Sequence, residues 1–203
     1  MKQLNRIVLV NWYVLGAIEI PIKGSVAIVG PNGSGKSTLL DAIQTILMGG
    51  HKRHLSFNAS AGEKSERSLR TYCLGFLDGD GKKGTAREDS ISYLALSFVD
   101  TETTKETTIG LAISASTASP EEEILGRFIL PNYSIALEDF TTKEGKGRMP
   151  RPWVEVRDRF MQQCPDMILE KRASRYIREM VTALSLDPQM PNDDDKFVKN
   201  FKN

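Results

Sequence analysis

Four residues set the chemistry to be explained. Gly30, Gly35, Lys36 and Ser37 follow the order G-x-x-x-x-G-K-S within "VAIVGPNGSGKSTLLDAIQTIL", residues 26–47. Glycines at 30, 33 and 35 let the main chain wrap closely around phosphate oxygens, so that successive N–H groups and a helix N-terminus meet the negative charge. In that frame Lys36 reaches the β- and γ-phosphates and the Ser37 hydroxyl ligates Mg²⁺. The expected nucleotide contacts run through Gly30, Pro31, Asn32, Gly33, Ser34, Gly35, Lys36, Ser37 and Thr38, with Ser37 the metal ligand and ATP and Mg²⁺ the cofactors. A glycine turn that binds nothing is a poor account of Gly-Lys-Ser at a helix start, because capping alone does not call for a lysine.

Such a loop works only between a strand and a helix. "SVAIVG" at 25–30 predicts a short, fully apolar strand of the kind buried in a parallel sheet. Leu39, Leu40, Ile43, Ile46 and Leu47 then recur at helical spacing up to Gly49-Gly50. Upstream, "LNRIVLV" at 4–10 and "AIEIPI" at 17–22 predict two strands joined through "NWYVLG". Residues 49–90 are dominated by loop-forming types, with one short helix predicted at 64–77. The runs at 90–100 and 105–116 predict an antiparallel hairpin, and "ILGRFIL" at 124–130 a further strand of its sheet.

The texture changes at residue 141, where "TTKEGKGRMPRP" reads as a basic linker before a helical part. One helix opens at Pro152, with Trp153, Val156, Phe160 and Met161 on its apolar face. A second covers about 170–185, with Tyr176, Ile177, Met180, Val181 and Leu184 inward and Arg172, Arg175 and Arg178 outward. A capped helix start follows in "NDDDKFVKNFKN", and its abrupt end suggests a continuation. The expected division is residues 1–140 as a lobe carrying the phosphate loop and an antiparallel β-subdomain, and 141–203 as a helical segment.

Bulk properties narrow the classes. With 203 residues, 40% hydrophobic and 26% charged, the chain can bury roughly 70% of its unfolded surface. A net charge of +1 makes no global case for a nucleic-acid or membrane partner. No run reaches the ~18 apolar residues of a membrane span. The start "MKQLNRIVLVNWYVLGA" resembles an export signal only until Asn11 interrupts it and Glu19 follows, so it reads as a first strand. Cys73 and Cys164, in unrelated surroundings, suit a reducing cytoplasm and offer neither a disulfide framework nor a zinc site.

The wording "GPNGSGKST" followed by "LLDAIQ" resembles the Walker A segment of ABC-type ATPases, above all the heads of the SMC and RecF groups. The longer stretch "IVLVNWYVLGAIEIPIKGSVAIVGPNGSGKSTLLDAIQ" is similar to the opening of MukB-like SMC proteins and of the JetC-type subunits of Wadjet plasmid defence, whose subgroup the "NW" pair fits. "ERSLRTYCLGFLDG", "REDSISYLALSF" and "SRYIREMVTALSL" extend that likeness. The resemblance implies an α/β, P-loop NTPase (ABC ATPase-like) half-domain with an antiparallel β-subdomain and a helical part leading to a coiled coil. It implies a DNA-translocating or DNA-clamping ATPase of plasmid defence or chromosome organisation, with a RecF-type repair head as the alternative. The implied partners are the C-terminal half of the same head, a second copy of the head engaged through ATP, DNA, and kleisin-like and accessory subunits.

Hydrolysis needs more than a cradle: a carboxylate for the metal, a group that positions water, and a stabiliser of transition-state charge. Asp100 and Glu102, closing "YLALSFVDTE", are the nearest match, but the same residues fit a hairpin turn, and Thr101 stands where ABC ATPases place a glutamate. No "LSGG"-like segment occurs, and Gln162 and Gln163 do not resemble a Q-loop. No catalytic residue is therefore assigned within the chain, and the chain alone is expected to be inactive. A transporter-type ABC subunit would show all these motifs within a comparable length.

Other residues carry two readings each. His51, Lys52, Arg53, His54, Lys64, Arg67 and Arg70 form a basic segment; Arg53, Arg67 and Arg70 are candidates for sensing DNA or nucleotide through phosphate contacts, against a solvated basic loop. The same choice holds for Arg172, Arg175 and Arg178. His51 and His54 lack a third metal ligand nearby. Trp12 and Tyr13 stand either against an adenine ring or in the core.

Overall fold

The computed structural model describes residues 1–55, 57, 67–79 and 82–185. Along the chain run β1 (Lys2–Trp12), β2 (Leu15–Pro21), α1 (Lys36–Leu47), α2 (Leu69–Leu74), β3 (Phe76–Gly79), β4 (Lys82–Thr85), β5 (Asp89–Asp100) and β6 (Glu106–Ser116). Then follow β7 (Glu123–Pro131), α3 (Leu137–Phe140), β8 (Thr141–Glu144), β9 (Gly147–Pro150), α4 (Trp153–Gln163), β10 (Ile168–Glu170) and α5 (Ala173–Leu184). A six-stranded sheet in the order β10-β7-β6-β5-β1-β2 forms the centre, and every pairing in it is antiparallel.

The central strands are apolar on both faces because both faces are covered. In β1, Ile7 and Leu9 turn toward α1, α2 and α5, while Val8 and Val10 turn toward α3 and α4. In β5, Leu94 and Leu96 take the first side and Tyr93 and Ala95 the second. Strands buried on both faces read as continuous runs, such as "IVLV", rather than as an alternation. Two glycines make room for rings on the second face. A Cβ at Gly110 would lie 2.4 Å from Phe128, and one at Gly126 would lie 2.3 Å from Trp153.

The antiparallel hairpin of β5 and β6, the added strand β7 and the pairing of β1 with β2 stand where the sequence places them. So do the inward residues Tyr176, Ile177, Met180, Val181 and Leu184 of α5, its exposed Arg175 and Arg178, and the exposed Arg172 just ahead of it. Four expectations are corrected. Residues 25–30 form no strand: the whole stretch is exposed, with Val26 at 58%, Ile28 at 43% and Val29 at 85%. A strand needs a neighbouring edge to satisfy its main-chain groups, and among the described residues none pairs with this one, nor is there any parallel pair.

The other three concern the second half. The basic stretch from 141 is not a linker but a β8–β9 hairpin, in which Lys143 faces Arg148 and Gly145 supplies the left-handed turn residue at φ +58. Residues after it are not wholly helical, because β10 pairs with β7 and joins the main sheet. Met161 is exposed, while Trp153, Val156 and Phe160 form the buried face of α4. The helix expected at 64–77 is α2, shorter at both ends; Ser68 caps it, its hydroxyl accepting from Thr71 N–H. The helix start in "NDDDKFVKNFKN" lies outside the described residues.

Candidate functional site

The phosphate loop leads directly into α1. Gly33 and Gly35 take φ of +81 and +89, the left-handed region that a Cβ disfavours, and nothing lies within 4 Å of where a Cβ would stand at either. The concavity is therefore open. No side chain caps the start of α1, which leaves its first-turn amides as anion donors at the positive end of the helix. The Lys36 ammonium donates to the carbonyls of Gly30 and Pro31 at 2.7 and 2.8 Å, folding across the loop. Ser37 is exposed at the mouth, and Thr38 is buried beneath it. These residues fit a Mg²⁺-nucleotide: a glycine cradle with open space, a cation that donates to main-chain oxygens, and an exposed hydroxyl beside it.

What holds α1 from behind is a cluster the sequence does not announce. Alternation along β1 would point Trp12 to the same side as Val8 and Val10. Asn11 instead adopts φ +53, a conformation asparagine tolerates better than most residues, and Trp12 crosses to the α1 side. The turn is pinned there: Asn11 Nδ2 donates to the Ile91 carbonyl at 3.1 Å, and the Ser92 hydroxyl donates to the Asn11 carbonyl at 2.7 Å. Trp12 is fully buried, its indole N–H donating to the Thr38 carbonyl at 2.9 Å. Its ring stacks on Tyr72, with centroids 4.4 Å apart and planes within 6°.

This arrangement corrects the adenine reading of Trp12: the ring is core, closed off by Tyr72. Tyr13 is half-buried with its edge toward Tyr72. The Tyr72 hydroxyl donates to the carboxylate of Asp41, one turn along α1 from Thr38, and Arg67 lies 3.5 Å from the same hydroxyl. Burial raises the Asp41 carboxyl above its ordinary value, only partly offset by the Tyr72 hydrogen bond and by Arg67. Burial and the neighbouring carboxylate likewise raise the Tyr72 phenol, so it stays a donor.

The basic residues disperse. Arg53 is exposed in a 3₁₀ turn, Lys52–His54. Lys52 pairs with Glu121 and Glu122 at 3.5 and 3.2 Å. The Arg70 guanidinium is held by the carbonyls of Ser116, Thr117 and Ser119, tying α2 to the end of β6. Lys64 lies outside the described residues. His51 and His54 stack at 4.4 Å, and among the described residues no group of metal-ligating side chains gathers around them. Asp100 closes the β5–β6 turn: its carboxylate accepts from the N–H groups of Thr103 and Glu102, which hold it below its ordinary range.

Residues 4–64 match the model of the P-loop containing region of an AAA domain. The chain carries a P-loop NTPase region. P-loop regions bind nucleotide phosphates together with Mg²⁺, and the matched stretch takes in β1 from Leu4 to Trp12, β2, the glycine loop and all of α1. No curated protein matches the chain. Among the described residues, no helix is long and apolar enough to cross a membrane.

Proposed function

We propose that this chain is the ATP-binding N-terminal half of an SMC-like ATPase head that moves or clamps DNA, most like the JetC-type heads of plasmid defence. One observation carries the reading: a P-loop at the start of α1 beside an apolar strand sequence that, among the described residues, pairs with no strand. Residues 25–29 form one wall of a groove of about 660 Å³ whose other walls include Leu4, Ile7, Ile20, Ile22, Leu39 and Ile43. Leu40, on the outer side of α1, is 52% exposed. Contiguous apolar exposure of this kind marks an interface, and the C-terminal half of the head is the partner that would supply both the missing strands and the absent Walker B and signature segments.

In that assembly Gly30, Pro31, Asn32, Gly33, Ser34 and Gly35 wrap the phosphates, Lys36 leaves its loop carbonyls for the β- and γ-phosphates, and Ser37 and Thr38 complete the contacts. Ser37 would hold Mg²⁺, which would neutralise charge on the phosphates. Arg53 and the exposed arginines of α5 are the DNA-facing candidates, and a second head, kleisin-like and accessory subunits complete the proposed complex. The test is turnover. The chain alone is expected to hydrolyse no ATP above background, co-expression with the C-terminal half is expected to restore activity, and Lys36→Ala is expected to abolish it. Robust ATP hydrolysis by the lone chain would overturn the split-head reading.

A further inference from the structure

Phosphate binding depends on where the first two turns of α1 point, since misplacement by an ångström weakens every contact at once. The loop side of α1 offers little support, because residues 23–34 are exposed. On the opposite side only Thr38, Asp41 and Ala42 are buried within those two turns. Two of the three are held by hydrogen bonds from stacked rings: Trp12 to the Thr38 carbonyl and Tyr72 to the Asp41 carboxylate. The grips lie three residues apart on one helix face, so together they oppose both rotation and sliding of α1. Tyr72 is itself fixed, as its carbonyl accepts from the Tyr13 N–H at 2.6 Å, at the turn between β1 and β2.

We propose that Tyr72 is a positioning residue for the phosphate loop, holding α1 through Asp41 and through its stack on Trp12 in the orientation that receives a nucleoside triphosphate. The proposal rests on the nucleotide reading above and adds a residue that lies outside both the loop motif and the matched region. The buried phenol needs a hydrogen-bond partner, and the one it has is a carboxylate on α1 rather than a group of its own helix. Here the hydroxyl is spent on α1, and Arg67, just ahead of α2, lies against it.

The test uses the full chain in a Trp153→Phe background, so that Trp12 is the one tryptophan, with Mg·ATP as the probe. Tyr72→Phe keeps the stacked ring and removes the hydroxyl. It is expected to weaken Mg·ATP on the order of tenfold, to raise amide hydrogen exchange across residues 36–42, and to shrink the nucleotide-dependent change in Trp12 emission. Asp41→Asn retains an acceptor oxygen and is expected to bind as the parent does. Asp41→Ala should reproduce Tyr72→Phe, and the double variant should be no worse than either alone. Leu74→Ala, two residues further along α2 and fully buried, is expected to lower the melting temperature while leaving affinity intact, which separates positioning from general loosening. Unchanged exchange at 36–42 in Tyr72→Phe, measured without nucleotide, would overturn the proposal whether or not ATP binds. Failure of the parent chain to bind Mg·ATP would instead overturn the nucleotide reading, with exchange still judging the positioning.

Discussion

Asp41 is the residue at which the polar logic of the P-loop region is most exposed to test. It is 4% accessible and faces the Tyr72 hydroxyl and the Arg67 charge. Because burial raises its carboxyl above the ordinary 3.8, the folded chain binds more protons than the unfolded chain between that value and the raised one. Stability contributed by this site therefore falls as pH rises through that window and is recovered in acid. Asp41→Asn removes the buried charge and keeps the acceptor. The melting temperature of Asp41→Asn relative to the parent is expected to climb as pH is raised from about 4 to about 7; a difference independent of pH would mean that the carboxyl does not titrate as its burial dictates.

At the scale of elements, the second face of the sheet is built from rings that need absent side chains beneath them. Phe128, Phe140, Phe160 and Trp153 contact one another with centroids about 5.6–6.1 Å apart, and Trp153 sits where a Cβ on Gly126 would intrude. Gly126→Ala is expected to destabilise by about 1–3 kcal/mol, the range for overpacking, read as a lower denaturant midpoint. Nucleotide binding should be unaffected, because α1 lies across the sheet from α4. The same reasoning explains how α4 and β10 belong with this sheet although their sequence follows a stretch that reads as a linker: Tyr93 on β5 donates to the Arg151 carbonyl at 2.7 Å, and β10 pairs with β7.

At the scale of the molecule, the described fold leaves the apolar segment at 25–30 and Leu40 on the outer side of α1 uncovered. They contribute little to the stability of the chain itself, since they bury little. Val29→Asp is therefore expected to leave the melting temperature within about 0.5 kcal/mol equivalent of the parent, as for surface substitutions generally. In co-expression with the C-terminal half, the same variant is expected to abolish ATPase activity and co-purification. If Val29→Asp assembled and turned over ATP normally, the partner would have to engage another surface.

What the sequence by itself determined is local. The order of Gly30, Gly35, Lys36 and Ser37 fixes the phosphate loop, because glycine conformation and helix polarity act within a few residues of one another. The apolar runs at 4–10, 90–100 and 105–116 and the helical periodicity of α5 were legible for the same reason, each being a pattern confined to one element. The tertiary structure alone decided what depends on contacts far apart in the chain. It turned Trp12 across the sheet through the left-handed Asn11, and it joined Tyr72 to Asp41 across 31 positions. It also left "SVAIVG" without a strand partner. An apolar run states that a segment can pair and be buried; only the assembled sheet states whether an edge is there to receive it.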